Sequence, residues 1–507
     1  MTIDVLPGGV RAGRIALWLV IALAAGPAPA ADQLGTHRNI LLRNPYPEAA
    51  NGQFGRGIAG GDFDGDGIDD LAVSENGSTR LRIAYGTAWS LATAAPVIPF
   101  LPVTITLPAH SYTMTAGDFD DDGRDELAVA NPQRNIGGAP GVGSVYIMKR
   151  GSNGIWSVQT EIRAGGVFPG SGLQNANLGN ALASGDFDDD GYADLAIGIR
   201  GQLVQGQEDA GAVMVVYGSA GGLAPPRARI FDRSNDGLSF TPRATDRFGW
   251  AVTAGDFNGD GYDELAVGVR GATCPNGTDR AGAVIVLAGS ATGIVTTGTH
   301  IWRPGVLGVA GSCTSGQTFG SALAAGRFDD THQGLAIGAP GAQGGAVHVL
   351  YGSDDGLTAV NNQRLVPPAV PGIDSSDGHF GETLAAGTLA YRCEFIFCLP
   401  QSLAIGAPMT AVDGVERAGA VWIVTPRMLL GPLDPGTLRA ILPKAPLRIG
   451  SPRANDQFGN ALAIGDFNDD SRRDLAIGTY LYDDADADAG AVQLLYQGDY
   501  LFVDPFE

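Results

Sequence analysis

One Asp-rich string recurs along the chain, and a repeat at a near-fixed period constrains the fold more than any local propensity does. GDFDGDGIDDLAV starts at Gly61, GDFDDDGRDELAV at Gly117, GDFDDDGYADLAI at Gly185, GDFNGDGYDELAV at Gly255 and GDFNDDSRRDLAI at Gly465. Two altered copies fill the long gap, AAGRFDDTHQGLAIGAP from Ala324 and AAGTLAYRCEFIFCLPQSLAIGAP from Ala385. The position of Asp62 therefore falls at 62, 118, 186, 256, 327, 388 and 466, which makes seven units 56 to 78 residues apart.

Each unit has further shared parts. A Phe-Gly pair leads most of them, at Phe54, Phe248, Phe319, Phe380 and Phe458, with Leu178-Gly179 as a variant. After the LAV or LAI segment comes an alternating apolar run, such as GAVMVVYGS from Gly211 or GAVHVLYGS from Gly345. A weaker fourth run follows, such as ARIFDRS from Ala228 or THIWRPG from Thr299. Four short runs of high β-propensity separated by turn residues describe a four-stranded antiparallel sheet. Seven such sheets predict an all-β, seven-bladed β-propeller over residues 31–498. The last unit ends after GAVQLLYQG, while LGTHRNILLRN, Leu34 to Asn44, reads like the fourth run of other units. An N-terminal strand is thus expected to complete the seventh blade and cover its open edge.

The Phe-Gly lead, the Asp-rich loop and the Gly-Ala-Pro close, intact at Gly338-Ala339-Pro340 and Gly406-Ala407-Pro408, resemble the FG-GAP repeats of the integrin α-subunit propeller. The resemblance covers nearly all of the chain after its first 30 residues. It implies the propeller fold and says less about function, since one fold hosts many functions.

The loops have a chemistry of their own. D-x-D-x-D-G-x-x-D/E offers hard oxygen ligands at positions 1, 3, 5, 7 (by its carbonyl) and 9, with Gly at position 6 for the tight turn. The first set is Asp62, Asp64, Asp66, the Ile68 carbonyl and Asp70. The second is Asp118, Asp120, Asp122, the Arg124 carbonyl and Glu126; the third is Asp186, Asp188, Asp190, the Tyr192 carbonyl and Asp194. Asp256, Asn258, Asp260, the Tyr262 carbonyl and Glu264 form the fourth. A fifth has Asp466, Asn468, Asp470, the Arg472 carbonyl and Asp474, with Ser471 in place of the Gly. Position 12 is Val73, Val129, Ile197, Val267 or Ile477, never the bidentate Glu of an EF-hand, so each loop joins two strands. Similar loops in the integrin family bind calcium, and the resemblance carries Ca²⁺ onto four loops and extends it to the fifth. If each site has a dissociation constant near 10⁻⁴ M in about 1 mM calcium, each ion contributes about 1.4 kcal/mol. Structural ions on one face are expected, with the opposite face left for a ligand.

Two units lack the ligand set. Near Arg327 the loop is one residue short, and near Thr388 it contains Cys393 and Cys398. Four Cys allow three connectivities. Cys274 with Cys313, on the face away from the loops, and Cys393 with Cys398 are the expected disulfides of an exported chain.

Export is expected from the N-terminus, where Arg11 and Arg14 precede the apolar run Ile15 to Ala25 and Ala28-Pro29-Ala30 offers a cleavage site. Eleven apolar residues are too few to span a bilayer, so residues 1–30 read as a signal peptide and the chain as secreted, extracellular or periplasmic. Removing them leaves 30 basic and 53 acidic side chains, a formal charge of −23. Such a chain repels phosphate backbones, which argues against nucleic acid as a partner.

Catalytic motifs are scarce: no GxSxG elbow, no HExxH, and six scattered His, of which His348 reads as structural. The expectation is a monomeric, non-catalytic binding or adhesion module for a protein or cell-surface ligand. The alternative is a lectin-like propeller for a glycan or polysaccharide; a hydrolase or lyase comes third. The candidate segments on the free face start at Ile199, Val269, Met409 and Thr479, the last holding Tyr480, Tyr482, Asp483, Asp484, Asp486 and Asp488. Aromatics repeated at one blade position there favour a lectin, one asymmetric patch a protein partner, and a pocket with two unpaired carboxylates an enzyme. Residues 499–507, with DYLFVDPFE beginning at Asp499, are set apart as a C-terminal tail.

Overall fold

The LAV and LAI segments become the second strand of each blade because both of their faces are covered. Asp70–Glu75, Glu126–Asn131, Asp194–Ile199, Glu264–Val269, Gly334–Ala339, Ser402–Ala407 and Asp474–Thr479 are buried at every residue. A short continuous apolar run suits such a strand, whereas outer strands such as Thr358–Leu365 keep exposed positions. The computed structural model describes residues 39–43, 52–75, 81–87, 100–101, 113–163, 174–234, 238, 241–329, 332–389, 401–426, 432–444, 450–483 and 489–496.

Seven four-stranded antiparallel sheets form, as the repeat predicts. From the inner strand outward, blade 1 holds Phe54–Gly61, Asp70–Glu75, Leu81–Ala84 and Phe100–Leu101. Blade 2 starts at Thr113–Gly117, blade 3 at Leu178–Gly185, blade 4 at Phe248–Gly255, blade 5 at Leu323–Gly326 and blade 6 at Thr383–Gly387. Blade 7 holds Ala461–Gly465, Asp474–Thr479 and Ala491–Leu495, and its fourth strand is Ile40–Arg43 from the other end of the chain. Ile40 pairs with Leu494 and Arg43 with Ala491, so the N-terminal strand closes the ring.

The Phe-Gly signature is a joint between blades. Phe54, Phe248, Phe319, Phe380 and Phe458 are fully buried, and each bridges the Gly that leads the third strand of the preceding blade, as Phe248 does with Gly211. Gly249 has φ +83°, and a Cβ there would lie 2.3 Å from the Ala212 oxygen of blade 3. Gly198, in the Gly-Ala-Pro position of blade 3, sits against the Gly249 oxygen at 2.2 Å from an added Cβ. Backbones can approach this closely only without side chains. The apolar cores accordingly lie between blades: Val213 and Val215 of blade 3 cluster with Phe248, Val267 and Ile285 of blade 4. Leu42, Phe54, Val73 and Val492 do the same across the junction of blades 7 and 1.

Cys274 and Cys313 form a disulfide with Cα atoms 6.4 Å apart, as expected. Cys393, Cys398, residues 1–30 and the tail 499–507 lie outside the described residues. Among the described residues no helix is long and apolar enough to cross a membrane.

Candidate functional site

Every Asp-rich loop joins the first and second strands of its blade, so the five loops share one face. The position-1 carboxylate organises each loop by accepting backbone N–H groups from the turn. Asp62 accepts from Gly65 at 2.7 Å and Gly67 at 2.8 Å, and Asp118 accepts from Gly123 at 2.8 Å. The position-6 contact recurs from Gly191 to Asp186 at 3.0 Å and from Gly261 to Asp256 at 3.3 Å, and in loop 5 the position-5 N–H of Asp470 donates to Asp466 at 3.2 Å. The position-7 N–H of Ile68, Tyr192, Tyr262 and Arg472 donates to the carboxylate of Asp66, Asp190, Asp260 and Asp470, respectively, at 3.0–3.2 Å. Ser471 takes φ +61°, the left-handed conformation that Gly supplies in the other four loops.

The position-9 acid works inward. One oxygen of Asp70, Glu126, Asp194, Glu264 and Asp474 accepts the N–H of the buried Phe at position 2, at 2.8–3.2 Å. In loops 1 and 3 the other oxygen accepts from Gly86 and Gly218, both at 2.7 Å. Burial, followed by the charges of neighbouring loop acids, pushes Asp70 and Asp194 up to about 8 despite these hydrogen bonds. Burial likewise lifts Glu126 and Glu264 to about 7. Buried carboxylates that resist ionisation are groups a divalent cation would restore to their charged form.

The residues fit a hard divalent cation best in the first three loops. Ligand oxygens of Asp62, Asp64 and Asp66 lie within 4.8 Å of one another, as do those of Asp118, Asp120 and Asp122, and those of Asp186, Asp188 and Asp194. Asp64 Oδ1 and Asp188 Oδ1 are buried and accept no hydrogen bond. In loop 4 the carboxylates are bridged instead by Asn258, whose amide nitrogen donates to Asp260 at 2.9 Å and Glu264 at 3.0 Å. A rotated amide would turn its oxygen toward the same acids. In loop 5, Asn468 accepts from the Asp470 N–H at 3.1 Å.

Two features of this face are absent from the loop motif. Lys149, on the third strand of blade 2, places its Nζ 2.7 Å from Asp120, 2.8 Å from Asp122 and 2.8 Å from Glu126. Arg227 reaches Asp188 at 2.7 Å and Asp190 at 3.0 Å in loop 3. Both are internal cations among the ligand set. The second feature is position 8, which latches neighbouring loops. Asp62 N–H donates to Asp125 of loop 2 at 3.0 Å, and the Asp125 N–H returns to the Asp62 carbonyl at 2.8 Å. Asp186 and Asp263 repeat the exchange at 3.0 and 2.9 Å, and Asp466 and Asp69 repeat it at 2.7 and 3.1 Å. The second Asp in GDGIDD and GDGYDE, Asp69 and Asp263, carried this signal, but only as a recurring acid with no assigned partner.

On the opposite face, the patch at blades 3 and 4 departs furthest from the repeat. Arg200 and Arg270 stand where the intact copies have Pro340 and Pro408, and Trp250 follows the Phe-Gly pair of blade 4. At the junction of blades 7 and 1 the same two positions hold a single pair, Arg56 at 5.4 Å from the Tyr480 ring centroid. The guanidinium carbons of Arg200, Arg247 and Arg270 lie 5.1, 5.6 and 4.2 Å from the Trp250 ring centroid. Asp209 pairs with Arg247 at 3.4 Å. The residues corresponding to Trp250 in five other blades are Arg56, Asn180, Ser321, Glu382 and Asn460, none aromatic; in blade 2 the position is Tyr112, which lies outside the described residues. In the Thr479 segment, Tyr482 is buried beneath Arg453, and Tyr480 donates to Gln457 at 3.1 Å. Neither ring is a free stacking platform; Asp484, Asp486 and Asp488 lie outside the described residues. His348 is buried edge-on against Phe319, in line with its structural reading.

The FG-GAP repeat model matches residues 111–148, 178–216, 248–287 and 458–495, and an FG-GAP-like repeat model matches 62–129. Integrin alpha-PS2 of Drosophila melanogaster is 31% identical over 235 residues, 45% of this chain and 15% of the relative. Phosphatidylinositol-glycan-specific phospholipase D of Bos taurus is 35% identical over 169 residues, 33% of this chain and 19% of the relative. The matches thus span less than a fifth of either relative's length. Among solved structures, an exotype rhamnogalacturonan lyase covers 90% of this chain and 76% of its own at 16% identity, with a TM-score of 0.44. The chain carries FG-GAP repeats, and its seven-bladed propeller resembles that of the integrin α subunits.

Proposed function

We propose that the chain is a secreted, calcium-stabilised propeller that binds a protein or cell-surface partner without chemically altering it. The ions are structural: they neutralise the acidic loops of one face and hold neighbouring blades together. The partner docks on the other face, where loops on a rigid scaffold are free to carry recognition. The observation that carries this reading is the Trp250 cluster at blades 3 and 4, where, among the described residues, the three guanidiniums of Arg200, Arg247 and Arg270 surround one aromatic ring. Trp and Arg are the side chains most often found at interface hot spots. An aromatic repeated around the ring would have favoured polysaccharide instead.

The test is binding of the calcium-loaded protein to intact cells and to a glycan array, beside Trp250→Ala and Arg270→Ala. The reading expects a protease-sensitive cell-surface partner, lost by at least tenfold in either variant and recovered chemically unchanged. Binding to a defined sugar on the array, or turnover of the captured ligand, would replace it with the lectin or the enzyme reading.

A further inference from the structure

A second arginine group lies on the same face, further out, where blades 3 and 4 meet. It lines a cavity of about 290 Å³ with Arg233, Thr241, Arg243, Asp246, Arg303 and the turn holding Thr273 and Cys274. Arg233 follows the last strand of blade 3, Ala228–Asp232, and Arg303 follows the last strand of blade 4, Val295–Trp302. Arg243 and Asp246 lead into the first strand of blade 4, and so lie at the end remote from the Asp256 loop.

The lining is held from behind. Asp246, only 1% exposed, accepts from the Arg233 guanidinium and from the Arg243 backbone N–H at 2.9 Å. Thr273 donates to Asp279 at 3.2 Å, and its turn is closed by the Cys274 N–H to the Thr278 carbonyl at 2.9 Å and by the disulfide to Cys313. Arg303 has a buried Nε with no hydrogen-bond partner. Burial, and then repulsion from Arg233, lower its pKa, with Asp246 opposing and Arg243 adding to the repulsion.

The charged lining is therefore three guanidiniums against one carboxylate, in a chain of formal charge −22. Cations that serve only packing are normally paired when buried. Here the one acid is committed to Arg233 and to backbone, so a bound anion would relieve both the repulsion and the unpaired Nε. The guanidinium fork matches phosphate and sulfate oxygens, and donors converging from three segments suit a tetrahedral anion better than a flat one. The volume sits at the small end of ligand pockets, roughly 300 to 1,000 Å³, which fits one anionic group on a small carrier.

We propose that this cavity binds a tetrahedral oxyanion, sulfate or phosphate, through Arg243 and Arg303, with Arg233 and Asp246 positioning the site and the Cys274–Cys313 disulfide fixing its wall. This gives the ligand face a chemistry and rests on its reading as a binding face. Isothermal titration of the calcium-loaded protein in chloride buffer with sodium sulfate, sodium phosphate, glucose 6-sulfate and glucose 6-phosphate tests it. Saturable one-to-one binding is expected, weakened at least tenfold in Arg243→Ala and Arg303→Ala and several-fold in Arg303→Lys. The preferred ester identifies the source of the anion. Arg243 is exposed, so its variant reports on binding even if Arg303→Ala folds poorly. No saturable uptake of any probe by folded protein, or an Arg243→Ala variant that binds like the parent, overturns the proposal. Melting curves with and without calcium score the propeller separately, so a failed pocket is told apart from a failed scaffold.

Discussion

Single residues decide how well each loop can hold a cation. Lys149 already pairs with Asp120, Asp122 and Glu126, so an ion entering loop 2 must displace an ammonium. Lys149→Met is expected to raise calcium affinity at that loop about tenfold, roughly 1.4 kcal/mol, as read by calcium titration against the parent. The latch makes a different prediction. Asp125 is pushed up to about 6, chiefly by burial, so its charge is a liability while its acceptor oxygen serves the Asp62 N–H. Asp125→Asn keeps an acceptor and should leave stability at pH 8 unchanged or raised. Asp125→Ala orphans a part-buried N–H and should cost about 1–3 kcal/mol in denaturant unfolding. The buried acids also set a pH dependence. In the calcium-free protein, Asp70 and Asp194 at about 8 and Glu126 and Glu264 at about 7 bind protons more tightly folded than unfolded. Their contribution is present below about pH 4 and lost as pH rises through 7 to 8. Calcium-free stability should therefore increase from pH 8 to pH 5, while calcium affinity falls over the same range as protons compete for the ligands.

At the scale of elements, the repeat unit was largely legible. The Phe-Gly lead, the LAV or LAI strand and the fourth run all fall where the pattern puts them, because each is local and recurs in several copies. The clasp was legible as well, since LGTHRNILLRN reads as a fourth strand with no blade of its own before it. What could not be read were pairings between distant strands of one unit and between units. Lys149 lies 29 residues from Asp120, and Asp125 lies 63 residues from Asp62, and no local period reports either contact. Trp250 was visible as a residue, with Arg247 three positions before it, but Arg270 follows the second strand of the same blade and Arg200 that of blade 3, and no local pattern gathers them. The blade joint supplies the prediction at this scale. Gly249→Ala meets the Ala212 oxygen at 2.3 Å from a left-handed backbone, and should cost at least about 1–3 kcal/mol, measured by urea unfolding.

For the whole molecule, the two faces divide the work. Acidic loops, latched to one another through position 8, gather on one face, and both arginine groups stand on the other at blades 3 and 4. An ion in a loop therefore acts on two blades at once, through its own turn and through the latch to its neighbour. The central claim is that cations complete this ring, and the most direct test is the melting temperature of the protein in about 1 mM calcium and again after chelation. Five sites at about 1.4 kcal/mol each, set against an unfolding entropy of about 2.1 cal/mol/K per residue, predict a fall of roughly 7 °C. An unchanged melting temperature would contradict the account, leaving the acidic loops as turns that fold without a metal.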